Sequence, residues 1–182
     1  MSDSAILVIN TGSSSLKFGI YNEVNHDEHL LLSGIADGIG RSSGTLELLD
    51  DDERMLRSEK CSFATQQDAL SKAAHWIAAV FEGRLSAIGH RVVHGGPHLI
   101  AHQRITVEVL QELRKCIHFA PLHIPLALQL IERAESIYPQ IPQFACFDTA
   151  FHHTIPEAAA RFPLPRELYD EGIRRYGFHG LS

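Results

Sequence analysis

The order of apolar patterns along this chain of 182 residues predicts an α/β fold built on a mixed sheet. In the first part of the chain, apolar residues alternate with polar ones between short turns, which indicates antiparallel strands. Further along, apolar residues at helical spacing alternate with short apolar runs, which favours helices that cross over between strands. The two patterns together predict one sheet with antiparallel hairpins first and parallel pairs later.

The first half of the chain contains most of the expected strands. The spacing predicts strands over 5–10, 16–21 and 30–37. Leu46 and Leu48 alternate with Glu47 ahead of the acidic turn 50–53, and a return strand is expected near Met55. These segments predict a run of neighbouring antiparallel strands.

A helix follows the hairpins, with clear signals at both ends. Thr65 and Asp68 have the spacing of a capping box, and Gly83 is expected to end the helix. Its apolar residues recur at helical spacing: Leu70, Ala73, Ala74, Ile77, Val80 and Phe81. A short strand over 85–89 comes next.

Two more helices and a buried strand are expected after that. One helix covers 106–117, and the other has Pro125 in its first turn and stops before Pro139. Its inward residues are expected to be Ala127, Leu130, Ile131 and Ala134. The apolar run 144–147 predicts a buried strand with Asp148 at its carboxyl end, where open α/β sheets bind ligands. No strand pattern follows Ala150, which predicts a first lobe over 1–150 and the start of a second over 151–182.

The amino-acid composition indicates the cellular compartment of the chain and excludes some classes of partner. The formal net charge of −6 opposes nucleic acid as the main partner, because phosphate backbones select basic surfaces. No apolar run approaches the roughly 20 residues that span a bilayer, so no membrane partner is expected. Three cysteines without paired spacing, and no signal-peptide pattern, favour a reducing, cytoplasmic setting.

The turn between the first two strands concentrates polar groups. Gly12 is expected to adopt a positive φ, which would bring backbone N–H groups close to an anion. The hydroxyls of Ser13 and Ser15 add donors, and Lys17 adds a positive charge near Asn10. The segment lacks the spacing of a Walker loop. A phosphate clamp and an ordinary solvated hairpin both explain these residues.

Two charged residues stand at the ends of short strands. Arg91 precedes a Gly-Gly-Pro loop, and a guanidinium holds a carboxylate through two parallel hydrogen bonds, so a small organic acid is a natural partner. A structural ion pair is the alternative. Asp148 is suited to bind Mg²⁺ or to orient a nucleophile, and a cap or turn is its alternative role. Because burying an unpaired carboxylate is costly, we expect Asp148 to lie in a cleft.

A histidine series also suggests a metal site. Histidines recur every four residues at His90, His94, His98 and His102, the spacing that aligns ligands on a helix. Gly95, Gly96 and Pro97 would interrupt such a helix. We therefore expect no dedicated zinc site, which leaves a zinc-dependent hydrolase as the least favoured alternative.

Five segments resemble, in the same order, the motifs of the acetate kinase family, which includes propionate kinases. The segments are 9–18 (INTGSSSLKF), 90–96 (HRVVHGG), 120–123 (APLH), 147–152 (FDTAFH) and 175–180 (RYGFHG). The resemblance spans nearly the whole chain. It implies the actin-like, ribonuclease H-like fold of acetate and sugar kinases, heat-shock ATPases and actin, here its amino-terminal lobe, and a nucleotide held between two lobes.

The resemblance also implies a reaction. ATP and a short carboxylic acid, acetate in the first instance, would react reversibly to give ADP and the acyl phosphate, with Mg²⁺ or alternatively Mn²⁺ as the cofactor. The family roles carried over by motif are metal binding for Asn10 and Asp148, phosphate binding for Ser13, Ser15 and Lys17, and catalysis for Arg91, Asp148 and His179. The resemblance assigns substrate binding to Arg91, Val93, Leu122 and His123.

Family members are considerably longer than this sequence. We therefore expect an amino-terminal fragment of a homodimeric enzyme, lacking the helix that closes the first lobe and having negligible activity alone. Two positions depart from the family pattern: Ile124 stands where Asn is usual, and His153 where Gln is common. The alternatives are a kinase for propionate or another short acid, and a non-catalytic half-lobe that binds phosphate or a partner.

Overall fold

A computed structural model describes residues 4–177 and 179–181. The strands are β1 (Ser4–Thr11), β2 (Ser15–Val24), β3 (Asp27–Asp37), β4 (Gly44–Asp50), β5 (Met55–Cys61), β6 (Arg84–Val92), β7 (Gln103–Arg104) and β8 (Gln143–Phe147). The helices are α1 (Gln66–Val80), α2 (Val107–Lys115), α3 (Ile124–Ile137), α4 (Asp148–Phe151), α5 (Glu157–Ala160) and α6 (Arg166–Asp170). A 3₁₀ turn, Cys116–Phe119, follows α2.

The strands form one mixed sheet in the order β5-β4-β3-β2-β1-β6-β8-β7. The first five strands pair antiparallel with their neighbours in sequence. Strand β6 lies parallel to β1 on one side and to β8 on the other, and β7 closes the edge antiparallel to β8. The predicted mixed sheet, with its hairpins first, is confirmed.

Helices α1 and α3 pack against each other on one face of this sheet. Beneath them lies a core cluster whose fully buried members include Leu7, Ile20, Leu46 and Trp76. A second cluster surrounds Phe147 under α2 and the start of α3. Burial of each such large apolar side chain stabilises the fold by about 1.5–3 kcal/mol. On the opposite face of the sheet, none of the described helices packs on β1, and Ile6 and Val8 are exposed there.

Helix α1 begins as its capping pattern predicts. The Asp68 backbone N–H donates to Thr65 Oγ1 over 3.2 Å, and the Thr65 N–H donates to Asp68 Oδ2 over 3.0 Å. The helix ends at Val80 rather than beside Gly83, because Phe81 turns to an extended conformation. Val80 is exposed, so its predicted place in the apolar stripe is wrong.

Pairing within the sheet accounts for the other differences from expectation. Strand β6 continues to Val92 because β8 pairs with it as far as Phe147, so Arg91 lies inside the strand rather than after it. Strand β7 was not expected, since its two residues carry no apolar pattern. The predicted buried strand over 144–147 is confirmed for one face only: Ala145 and Phe147 are fully buried, whereas Phe144, on the face without a described helix, is 37% exposed.

Only short helices follow α4 in the described residues. In this terminal part, Gly177 and Gly180 lie against α4 and the residue that follows it, and Arg174 and Arg175 line a cavity beside the loop after β6. The proposed lobe boundary at 150 remains a prediction. Within residues 4–177 and 179–181, no helix has the length and apolarity that crossing a membrane requires.

Candidate active site

Four polar side chains meet at the carboxyl ends of β1, β6 and β8. Asn10 lies near the end of β1 and Arg91 near the end of the adjacent parallel strand, while Asp148 directly follows β8. The carboxyl ends of parallel strands share one edge of a sheet, which is why residues far apart in sequence converge here. The terminal segment adds His179. We call these four residues the Arg91 cluster.

A bidentate ion pair between Arg91 and Asp148 forms the centre of the Arg91 cluster. Arg91 Nε donates to Asp148 Oδ1 over 2.9 Å, and Arg91 Nη2 donates to Asp148 Oδ2 over 2.6 Å. The hydrogen bond to Asp148 raises the pKa of Arg91 above its ordinary value. The expectation that Asp148 lies in an open cleft is wrong, since its side chain is 0% exposed. Complete burial is tolerated because the guanidinium supplies the opposite charge.

The guanidinium also contacts the two other members of the cluster. Arg91 Nη1 donates to Asn10 Oδ1 over 3.1 Å, and Nη2 lies 3.2 Å from His179 Nδ1. Arginine has no acceptor atom, so Nδ1 of His179 must be the acceptor of that contact. The remaining ring nitrogen of His179, Nε2, therefore carries the proton of the neutral imidazole.

Two glycines hold the terminal segment against α4. A Cβ atom on Gly180 would overlap the Asp148 carbonyl oxygen and the Phe151 side chain. Gly177 has φ +77°, and a Cβ there would overlap the ring of His152. Only glycine permits so close an approach, and this approach carries His179 to Arg91. Phe178, between them, lies outside the described residues. The sequence gives no signal for this packing.

The serine-rich turn is closed by one hydrogen bond of its own and is tied to two other parts of the chain, the loop after β3 and the start of α1. Its Gly12 N–H donates to Ser15 O, the Ile39 N–H donates to Ser14 O, and Gln66 Nε2 donates to Ser13 O over 3.1 Å. The expected positive φ at Gly12 is wrong. A Cβ at this position would lie 3.0 Å from Ser15 Oγ, so a larger residue would require the serine side chain to shift slightly.

Lys17 lies on the open face of the sheet, directly across from Asn10 in the β1–β2 ladder. A hollow of about 440 Å³ is lined by both residues. A second hollow, of about 620 Å³, is lined by Asn10, Arg91 and the apolar side chains of Val8 and Phe144. Asn10 and Val8 line both hollows, so the cationic groups of Lys17 and Arg91 flank one continuous surface.

Three predicted substrate residues lie elsewhere on the chain. Val93 is partly buried against the second core cluster. Leu122 is 76% exposed, and His123 is an exposed residue that begins α3 without capping it through its side chain. The described contacts do not test the substrate-binding roles of Val93, Leu122 and His123, which remain predictions.

A buried polar chain supports the ion pair from the opposite face of the sheet. Gln143 Nε2 donates to Glu135 Oε2 over 2.8 Å, so its Oε1 is the acceptor for His90 Nε2 at 2.7 Å. Burial lowers the pKa of His90 to about 4, although the bond to Gln143 opposes this shift, and the ring is neutral at pH 7. The chain links β6 to β8 and α3, directly behind Arg91. Sequence reasoning missed it, because nothing local marks residues 53 positions apart as partners.

Two further bonds fix the backbone around Asp148. The Phe147 N–H donates to His102 Nδ1 over 3.1 Å, which continues the β7–β8 pairing through a side chain. The Gly95 N–H donates to Thr149 Oγ1 over 3.1 Å and ties the loop after β6 to α4. His102 and Thr149 therefore hold the residues on either side of the carboxylate.

The Arg91 cluster supplies oxygen ligands for a divalent cation. Asn10 Oδ1 and both Asp148 oxygens contact the same guanidinium, so the three atoms lie close together. Mg²⁺ prefers oxygen and is commonly held by one or two carboxylates together with substrate phosphates and water. The three oxygens have the donor chemistry of a partial site for such an ion, but in this structure all of them accept hydrogen bonds from Arg91, and Asp148 is fully buried. Within the described residues, no group of three or more His, Cys, Asp or Glu side chains is placed to hold a metal.

Comparison with known proteins places the chain in a family. The sequence model described as the Acetokinase family matches residues 5–182. The chain belongs to the acetokinase family. It is 43% identical to an acetate kinase of Rhodopseudomonas palustris over 185 residues, covering all of this chain and 46% of the relative. An acetate kinase of Ectopseudomonas mendocina is 44% identical, with 45% of its length covered.

Solved structures of the acetokinase family share the fold. A propionate kinase from Francisella tularensis superposes with a TM-score of 0.86 at 35% identity, covering 99% of this chain and 46% of that one. The acetate kinase of Porphyromonas gingivalis gives a TM-score of 0.84 at 32% identity, with coverage of 97% and 45%. The predicted family and fold class are confirmed. The chain spans about half the length of these relatives.

The two departures from the acetokinase pattern have structural counterparts. Ile124 is fully buried in the second core cluster at the start of α3, so packing takes the place of a polar side chain. His153 Nδ1 lies 2.7 Å from the Ala150 carbonyl oxygen, which accepts its proton and holds the ring at the end of α4.

Proposed function

We propose that the full-length protein is an acetate kinase, which transfers the γ-phosphoryl group of ATP reversibly to acetate and so forms acetyl phosphate and ADP. The observation that carries this proposal is the convergence of Asn10, Arg91, Asp148 and His179 in a member of the acetokinase family. Phosphoryl transfer depends mainly on positioning and on neutralising charge, and this cluster is suited to both tasks.

Arg91 is the central catalytic residue of the proposal. Asp148 and Asn10 fix its guanidinium in one orientation before substrate arrives. A fixed positive charge stabilises the phosphoryl oxygens more than a mobile one, because it does not reorganise during the reaction. The Nε2–H of His179 would donate a second hydrogen bond to the transferring group. Arg91 would hold either the carboxylate of the acid or the transferring phosphoryl group.

Asn10 and Asp148 would hold the divalent cation, Mg²⁺ or alternatively Mn²⁺. When bound, the cation would neutralise charge on the phosphate oxygens of ATP. Ser13 and Ser15 support a neighbouring phosphate site, because among the described residues their hydroxyls form no hydrogen bond. Lys17 adds a positive charge across the ladder from Asn10.

Propionate is a second candidate substrate. The structural neighbour from Francisella tularensis is a propionate kinase, and its fold matches this chain closely. Val93 and Leu122 are the proposed apolar wall for the alkyl end of the acid. Such a wall discriminates one methylene by only about 1–3 kcal/mol, so acetate and propionate kinases can share these residues.

We further propose that the 182 residues form the amino-terminal part of a cytoplasmic, homodimeric enzyme. The exposed Ile6, Val8 and Phe144 on the uncovered sheet face support this proposal, because further chain would bury them. The chain alone is expected to show negligible turnover. A non-catalytic role would instead appear in calorimetry of the full-length protein, as binding of phosphate without binding of ATP or acetate.

The test uses the full-length protein and two arginines of the same strand. Arg91→Ala is expected to lower kcat by about 10²–10³-fold and to raise KM for the acid, while the Kd for ATP changes little. Arg84→Ala is the matched control, since Arg84 is exposed at the start of β6 and forms no described ion pair. Equal losses of acid and ATP binding with the fold intact would contradict the role of Arg91. Specificity constants for acetate, propionate and butyrate then decide the substrate.

A further inference from the structure

A separate cavity of about 130 Å³ lies between the loop after β6, the end of α4 and the terminal segment. The polar and basic side chains that line it are those of Thr149, His152, His153, Arg174 and Arg175, and Gly96 and Tyr176 also line its wall. None of the four residues of the Arg91 cluster lines it. The function proposed above therefore leaves this cavity without a role.

Positive charge dominates this cavity although the chain as a whole is acidic. Two arginines and two histidines line it, and no aspartate or glutamate does. Within residues 4–177 and 179–181, neither Arg174 nor Arg175 forms an ion pair with a carboxylate. Arg161 and Arg166 behave differently, because each lies within 4 Å of Glu157. The cavity thus has two positive charges that the described residues do not neutralise.

Aromatic rings and a backbone carbonyl hold these two arginines in place. The Arg174 guanidinium lies 5.1 Å from the ring centre of Tyr176 and 5.9 Å from that of Tyr169. Arg175 lies 5.3 Å from the Phe162 ring centre, and its Nη1 donates to the Ala159 carbonyl oxygen over 3.2 Å. Each guanidinium has five N–H donors, so these contacts leave donors for a ligand.

Size and polarity together restrict the ligand class. A cavity of about 130 Å³ has room for several water-sized groups, which is enough for the five heavy atoms of orthophosphate. Pockets for larger organic ligands measure about 300–1,000 Å³, so a nucleotide does not fit. Thr149 Oγ1 already accepts the Gly95 N–H, and its hydroxyl proton remains available to an anion.

We propose that this cavity is a second anion site, distinct from the Arg91 cluster, which binds inorganic phosphate between Arg174, Arg175 and Thr149. Bound phosphate joins the terminal segment to α4. Tyr176 immediately precedes Gly177, which packs on the His152 ring, so the anion also stabilises the path of the chain towards His179.

The experiment is calorimetric titration of the 182-residue chain with inorganic phosphate at constant ionic strength. The double variant Arg174→Gln/Arg175→Gln is expected to weaken the binding at this site at least tenfold. Arg161→Gln/Arg166→Gln makes the same change in charge nearby and is expected to leave the affinity unchanged. Arg91→Gln separates the two sites, because it should leave this one intact.

Several results would overturn the proposal. The first is that the unaltered chain does not bind phosphate at millimolar concentration, and the second is that Arg174→Gln/Arg175→Gln leaves the affinity unchanged. The third is that the Arg161→Gln/Arg166→Gln control loses as much affinity as that variant. The fourth is that Arg91→Gln abolishes all phosphate binding. Circular dichroism checks that each variant folds. If the double variant unfolds, the exposed single change Arg175→Gln replaces it, with at least threefold weaker binding expected. Activity of the full-length Arg91→Ala variant is a separate readout, so the two proposals can fail independently.

Discussion

Replacing Arg91 by methionine is expected to destabilise the chain more than replacing its partner Asp148 by asparagine. The Asp148 side chain is 0% exposed, whereas that of Arg91 is 15% exposed. Without Arg91, a carboxylate would stay fully buried with no opposite charge. Without the Asp148 charge, the guanidinium still reaches solvent and still contacts Asn10. The difference in burial therefore predicts that Arg91→Met lowers the free energy of unfolding more than Asp148→Asn does.

The expected losses in the free energy of unfolding follow from those measured for buried ion pairs in other proteins. Removing one partner of a buried ion pair costs about 3–5 kcal/mol, and we expect Arg91→Met to fall in this range. Asp148→Asn keeps an oxygen acceptor for Arg91 Nε and is expected to cost about 1–2 kcal/mol. The double variant should be about 2 kcal/mol more stable than Arg91→Met alone, because no buried charge remains.

Urea denaturation of the 182-residue chain at pH 7 measures these differences. Trp76 is the only tryptophan and is buried in the first core cluster, so its fluorescence reports global unfolding. Arg84→Met, at the exposed start of the same strand, controls for the loss of a surface arginine. If Arg91→Met is no more destabilising than Asp148→Asn, or if the two effects simply add in the double variant, the ion pair does not have the energetic role assigned to it.

Three other outcomes are expected. Burial lowers the pKa of both His90 and His94 to about 4, so the unfolded chain binds more protons below pH 6.5. Stability should therefore fall by about 2 kcal/mol for each histidine between pH 7 and pH 5, a loss that equal urea midpoints at the two pH values would refute. If the full-length protein has the proposed kinase activity, Gly180→Ala should lower its kcat by about 10²-fold with little change in ATP affinity, because the added methyl displaces His179; an unchanged kcat would contradict this. Thr65→Ala should cost about 1 kcal/mol in urea denaturation through loss of the helix cap, and an unchanged midpoint would contradict this.

The elements that could be predicted from the sequence are those with local signals. Alternation between Leu46 and Leu48 marks a strand without knowledge of its partners, and the Thr65 and Asp68 pair marks a helix start. The motifs placed the chain in its family and directed attention to Arg91 and Asp148. They could not show that these two residues bind each other, because that contact depends on the register between β6 and β8.

Features without local signals were missed for the same reason. Strand β7 has two polar residues, and only the neighbouring edge of β8 makes it extended. The bond between His102 and the Phe147 N–H depends on that pairing. The burial of Asp148 was misjudged, because the sequence showed the cost of a buried charge but not the partner that offsets it.

The register of β6 in the sheet decides which of its side chains face the helices and which face the open side, where the Arg91 cluster lies. Side chains alternate along a strand, so a slip of one residue in β6 would turn Arg91 towards the helices and His90 towards the open face. The bonds from His90 to Gln143 and from Gln143 to Glu135 lie on the helix side and resist such a slip. The neutral histidine on one face therefore helps to keep the arginine on the other face in contact with Asp148. The geometry of Arg91 on the open face therefore depends on polar contacts buried on the helix side, which explains why a buried imidazole directly precedes Arg91 in the sequence.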